Sequence, residues 1–447
     1  MIAQDAVSPC AAAPAVSYAS WRSRLFASVL AGGAAMAAYL CMYAFRRPFA
    51  AATFTGQHVL GLDYKAWLVI AQIFGYMCSK FLGIRVISGL KRVGRARFLL
   101  LLIGAAALAL LGFALTPSPW NIAFLFLNGL PLGLVWGVLF SYLEGRRSTE
   151  LMGAMMASSM IFASGIVKTA GRYFLALGVS EYWMPVLTGV AFVPLLLACL
   201  VVLERMPQPD AADRGLRGAR VPMSAADRRR FATRFLPGIA LMVFCYAALT
   251  IVRDFRDSFE IELFTELGYG NRIALFAQVE TPIAFLLLLC TAGLVMVREN
   301  LRALMLVHAM MFTGVILAGC ATLAFRAGTL PPLWWLGLVG FGLYLAYVPF
   351  TCAFEERMVA TFKGSGNVGF MMYVCDAFGY LGSIAVVLVR ESGWLHVSWT
   401  GFLAYCVLGL ALLGAVSVAC SAMYFYAKAR HESGAPLVSA PAIAGAK

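Results

Sequence analysis

Arg46 and Arg47 stand side by side in "CMYAFRRPFA", residues 41–50, at the end of an apolar run that begins near Leu25. A charged side chain inside a bilayer costs roughly 3 kcal/mol or more. Such residues either mark the edge of a span or are buried for a purpose. On a helix the two arginines point about 100° apart. Pro48 removes a backbone donor and disfavours helical geometry at the residue before it. Arg46 would share a helical face with Tyr43 and Ala50, and it is expected to face an aqueous cavity with Tyr43. Arg47 is expected to lean away or to pair elsewhere, as a structural or interfacial charge.

Further charges sit inside apolar runs. Lys80 lies in "GYMCSKFLG", Lys168 and Arg172 lie one turn apart, and "YAALTIVRDFRDSFE" carries Arg253, Asp254, Arg256 and Asp257. There Arg253 and Asp257, and Arg256 and Glu260, have the i,i+4 spacing of helical ion pairs. Glu280 precedes Pro282, and Asp376 stands alone in "GFMMYVCDAFGYLGS". Guanidinium groups bind phosphate or carboxylate by bidentate, charge-assisted hydrogen bonds. An intramembrane carboxylate can carry a proton or balance an arginine. Arg85 can snorkel to the nearby surface. Without it, seven cations (Arg46, Arg47, Lys80, Lys168, Arg172, Arg253, Arg256) face four acids (Asp254, Asp257, Glu280, Asp376). That surplus points to an anionic ligand. His58, His308, His396 and His431 are far apart, and neither HExxH nor GxSxG occurs. The eleven cysteines show no metal or disulfide spacing. No catalytic residue, metal or cofactor is expected, and the protein is not expected to be an enzyme.

The elements that must position these charges follow from composition. The chain has 447 residues, 62% hydrophobic and 13% charged, against about half and a quarter for a soluble protein. It reads as an all-α polytopic membrane protein. A span needs about 20 mostly apolar residues. Twelve candidates occur, at 24–51, 65–89, 98–116, 121–143, 152–178, 183–203, 236–258, 273–296, 301–325, 333–354, 365–389 and 398–425. The expected organisation is a tail at 1–23, a six-helix bundle at 24–203, a central loop at 204–235, a second six-helix bundle at 236–426 and a tail at 427–447. With both termini in the cytoplasm, cytoplasmic segments hold 23 basic residues and outer segments only Lys65, Arg272, Arg326 and Arg390, which satisfies the positive-inside rule. The net charge of +14 is then mainly topological. The partner is the lipid bilayer, and no nucleic acid is expected.

Four stretches carry a family resemblance. "YAFRRPFA", "FGYMCSKFLG", "LNGLPLGLVWG" and "GFMMYVCDAFGYLGS" resemble motifs of the first, second, fourth and eleventh helices of the organophosphate:phosphate antiporters. These belong to the major facilitator superfamily, with twelve helices in two pseudo-symmetric six-helix bundles. The resemblance implies one phosphate-binding cavity arginine in each half, here Arg46 and Arg253, with Lys80 nearby. Arg256 rivals Arg253, because the seventh helix is more charged than the family pattern. Tyr43 and Tyr373 would shape the cavity, and Asp257, Glu280 and Asp376 would balance charge or carry protons. The expectation is a monomeric secondary transporter of a small organic anion (phosphate ester, phosphate or carboxylate), working as an exchanger or proton-coupled symporter. Its place would be the cytoplasmic (inner) membrane of a bacterium. The alternative is a non-transporting membrane sensor or scaffold on the same fold.

Overall fold

The computed structural model describes residues 21–88, 94–143, 149–206, 225–362, 369–392 and 397–434. In hydrocarbon every backbone polar group needs an internal partner, and the apolar runs meet that need as helices. The first half comprises α1 (Trp21–Tyr43), α2 (Tyr64–Ser88), α3 (Arg95–Leu115), α4 (Ile122–Leu143), α5 (Thr149–Ala176), α6 (Met184–Ala191) and α7 (Val193–Arg205). The second comprises α8 (Ala225–Ser258), α9 (Glu260–Glu266), α10 (Leu275–Val295), α11 (Asn300–Arg326), α12 (Pro332–Pro349), α13 (Glu355–Thr361), α14 (Gly369–Glu391) and α15 (Trp399–Gly434). A two-stranded hairpin, β1 (His58–Val59) and β2 (Leu62–Asp63), joins α1 to α2 and pairs His58 with Asp63.

Two spans are composite. α6 and α7 form one, interrupted at Phe192 because Pro194 offers no N–H to the helix ladder. α12 and α13 form another through a π-helical segment, Phe350–Phe354. Among the described residues, eight helical stretches are long and apolar enough to cross a membrane by length and composition. α1, α2, α5 and α14 complete the twelve, and the last three carry Lys80, Lys168 and Asp376 within them.

In the first half α2 packs on α4, α1 on α5 and α3 on α4; in the second, α11 packs on α12 and α15, and α8 on α14 and α15. The halves meet mainly along α5–α10 and α2–α14. A Cβ at Gly129 would lie 2.5 Å from the Gln72 carbonyl oxygen, and one at Gly75 would strike that of Phe126. Glycine therefore sets how closely α2 and α4 approach.

Several helix ends differ from expectation: α13 runs on to Thr361 and α15 to Gly434, inside the expected tail, and two others have a clear local cause. α1 stops at Tyr43 rather than running to 51. Pro48 cannot donate, and its ring would crowd the Ala44 carbonyl. The N–H groups of Arg46 and Arg47 both bond the Tyr43 carbonyl at 2.9 Å, and the chain continues as a 3-10 turn, Pro48–Ala51. Arg46 therefore does not share a helical face with Ala50. At the other junction α8 starts at Ala225, within the expected central loop, because "AADRRRFATR" is rich in the helix formers Ala and Arg.

Candidate functional site

The end of α1 fixes the first site residue. Where the helix stops, carbonyl oxygens lose their intrahelical partners. Asn128 Nδ2 donates to the Phe45 carbonyl at 3.1 Å, and Gln72 Nε2 donates to the Arg46 carbonyl at 2.8 Å and to Asn128 Oδ1 at 2.9 Å. Gln72 and Asn128 are buried at the glycine contact between α2 and α4. With its backbone held there, Arg46 lays its guanidinium over the Tyr76 ring, 3.9 Å from the centroid, with Tyr43 at 5.7 Å.

Arg46 projects into a cavity of about 100 Å³ between the halves. The first half contributes Tyr39, Tyr43, Arg46, Tyr76, Lys80, Trp136 and Met160. From the second come Tyr246, Arg253, Tyr347, Thr351, Asp376 and Tyr380. Lys80 Nζ lies 3.2 Å from Asp376 Oδ2. Tyr246 donates to Asp376 Oδ1 at 2.7 Å, and its hydroxyl lies 2.8 Å from that of Tyr347. Arg253 stacks on Tyr347 at 4.0 Å and bonds its neighbour Asp254 at 2.9 Å. Arg46 differs from both other cations. It is 5% exposed, no described carboxylate lies within ion-pair distance of it, and its buried Nε has no acceptor.

Arg47 turns the other way, into a seam of ion pairs between the halves. Its Nε lies 2.9 Å from Asp257, Nη2 is 3.6 Å from Asp254, and Nη1 donates to Ser258 at 3.1 Å. Lys168 bonds Asp257 at 2.5 Å and Glu260 at 2.9 Å, while Ser164 donates a short hydrogen bond to Asp257. Lys65 bonds Glu262 at 2.5 Å. Arg256 bonds Glu280 at 2.7 Å, with Glu260 at 3.7 Å. The seam lies at the junction of α8 and α9, around Phe259.

The structure thus brings Tyr43, Arg46, Lys80, Arg253 and Asp376 to one cavity and sends Arg256, Asp257 and Glu280 elsewhere. Arg256, expected as a substrate ligand, is 2% exposed and neutralised by Glu280. The expected Arg253–Asp257 pair does not form, because Asp257 is taken by Arg47 and Lys168. Tyr373 belongs to α14, but its side chain lies outside the described residues. The charge count also changes. Lys65, assigned to an outer loop, is 3% exposed, and Glu260 and Glu262 join the buried acids or their rim. Their partners lie 92 and 197 residues away in sequence, beyond the reach of any local spacing rule. The aromatic wall was missed as well, although a signal existed: Tyr39–Tyr43, Tyr76–Lys80 and Asp376–Tyr380 all have i,i+4 spacing.

Solved structures share this architecture. A D-xylose-proton symporter has TM-score 0.58 and 14% identity, covering 90% of this chain and 97% of that one, and the major facilitator superfamily proton:xylose symporter XylE has TM-score 0.58 and 14% identity, covering 91% and 96%. A bacterial homologue of the human drug peptide transporters PepT1 and PepT2 has TM-score 0.58 and 12% identity, covering 90% and 99%. The nucleoside transporter NupG has TM-score 0.57 and 13% identity, covering 90% and 99%. The likeness is one of fold: the chain is an all-α polytopic membrane protein with the major facilitator fold. No curated protein matches the sequence. Across residues 48–428 the match is to the family of unknown function DUF5690, and the chain belongs to that family.

Proposed function

We propose that the protein is a secondary active transporter of a small organic anion, working by alternating access. The observation that carries this reading is Arg46, a buried guanidinium facing an inter-half cavity with no described carboxylate beside it. An uncompensated buried charge costs several kcal/mol, and a ligand that brings the counter-charge relieves that cost. The cavity lies between two helical halves, where alternating access requires a site. Apart from Lys80–Asp376, the described ion pairs that bridge the halves gather in the seam on one side of it. Breaking them would open the cavity to that face. Phosphate esters, phosphate and carboxylates all fit an arginine site of this kind. In this reading both termini face the cytoplasm, the working unit is a monomer, and the membrane is the cytoplasmic one.

Uptake into proteoliposomes tests the reading. Labelled carboxylates and phosphate esters should accumulate with the wild-type protein and not with Arg46→Ala. Uptake that needs internal substrate would indicate exchange. Uptake that follows an imposed pH gradient into empty vesicles would indicate proton symport, with Asp376 or Glu280 as the carrier. Unchanged uptake in Arg46→Ala would remove Arg46 from the site and end the proposal in this form.

A further inference from the structure

Cation-by-cation matching narrows the ligand. Arg47 has Asp257, Lys168 has Glu260, Arg256 has Glu280, Lys65 has Glu262, Lys80 has Asp376 and Arg253 has Asp254. Among the described residues these six cations thus have six carboxylates; Arg172, half-buried and bonded to the Gly270 carbonyl, lies outside the cavity, and Arg46 is the one cavity cation left without a carboxylate. The formal charge that a ligand must neutralise is one, although three cations line the cavity. A dianion would have to pull Lys80 or Arg253 from its own carboxylate and leave that carboxylate stranded beside the ligand. Ring surface dominates the rest of the wall, since seven of the thirteen lining residues are aromatic. Tyr39 meets Trp136 edge-on at 5.0 Å, and Tyr76 meets Tyr380 edge-on at 5.5 Å across the halves. The hydroxyls of Tyr246 and Tyr347 are engaged with each other and with Asp376. The Thr351 hydroxyl donates to the Val348 carbonyl at 2.9 Å. Offset and edge-on ring contacts are the arrangements aromatic groups favour.

We infer that the ligand is a monoanion with a flat aromatic body, its carboxylate on Arg46 and its ring among the tyrosines of both halves. The inference rests on the transport reading above and names its substrate class.

Purified protein in detergent is titrated with five probes at neutral pH, following the melting temperature, which rises with a ligand that binds the native state. Benzoate has the predicted charge and ring. Phenyl phosphate keeps the ring and adds charge, cyclohexanecarboxylate keeps the charge without a flat ring, benzamide has no charge, and inorganic phosphate lacks the ring. Benzoate is expected to act at roughly tenfold lower concentration than phenyl phosphate, since stranding a buried charge costs at least that much affinity, and at lower concentration than the three probes that lack its charge or its flat ring. In Asp376→Asn, which leaves Lys80 without its carboxylate, phenyl phosphate should gain on benzoate. Phenyl phosphate that outcompetes benzoate, and improves as pH rises through its second ionisation near about 6, would overturn the monoanion and leave the organic-anion transporter standing. Equal action of benzoate and cyclohexanecarboxylate would overturn the aromatic body alone. No stabilisation by any anion, with no uptake of carboxylates or phosphate esters into vesicles, would overturn the transport reading itself. The wild-type titration decides charge and ring shape even where a variant fails to fold.

Discussion

One peptide bond separates Arg46 from Arg47, and their surroundings make opposite predictions. Arg47 and Lys168 both converge on Asp257. Asp257→Asn would leave two buried cations short of one carboxylate, and removing one member of such a buried pair costs about 3–5 kcal/mol. The melting temperature of Asp257→Asn should fall well below that of the wild type. Arg46→Gln strands no acid and should melt within a few degrees of wild type while losing anion binding. A larger fall for Arg46→Gln than for Asp257→Asn would contradict the division between cavity and seam. Much of the cavity was legible at this scale. Charges embedded in apolar runs are few, and Tyr43, Arg46, Lys80, Arg253 and Asp376 were all singled out by that rule or by the tyrosine on the same face. The destinations of Arg256, Asp257 and Glu280 were not legible. A helix spacing shows which residues share a face, but not which neighbouring helix will bring a stronger partner to that face.

The break in α1 and the glycine contact between α2 and α4 act as one device. The break frees the carbonyls of Phe45 and Arg46, and the close approach delivers Gln72 and Asn128 to them. A methyl group at Gly129 would press on the Gln72 backbone. Gly129→Ala is expected to cost about 1–3 kcal/mol through overpacking and to weaken anion binding, because the backbone under Arg46 would lose its anchors. Gly104→Ala on α3 meets nothing within 4 Å and should be neutral or stabilising by up to about 1 kcal/mol. Thermal melting and a benzoate titration of the two variants check both statements. Twelve spans could be counted from the sequence, since the bilayer fixes their length, although among the described residues only eight are long and apolar enough by length and composition. The early stop of α1 was only half visible: Pro48 announced a disturbance, but not that the turn would begin four residues before it. The early start of α8 was hidden because arginine-rich sequence reads as loop to a hydropathy count, although arginine is a good helix former.

Across the whole molecule, the two halves are held together by charges drawn from both. Lys65 and Glu262 form the pair nearest the hairpin and α9, and they line a second pocket together with Thr53, Phe259 and Trp399. Reversing either charge should lower the melting temperature. Lys65→Glu combined with Glu262→Lys should recover part of the loss, with a coupling energy of about 0.5–3 kcal/mol in a double-mutant cycle. Strict additivity would show that the pair does not bind the halves. The pairing has a further consequence during synthesis. Among the described residues, the carboxylates that hold Arg47, Lys65, Lys80 and Lys168 all come from the second half. Arg47 and Ser258 are 211 residues apart. At about 5–20 residues per second, that distance takes roughly 10–40 s to translate. Throughout that interval the nascent first half sits at the insertion machinery with lysines and arginines that have no acid to meet. A ribosome product ending at residue 206 should therefore insert poorly and be degraded quickly, and co-expression of a fragment starting at residue 225 should rescue it.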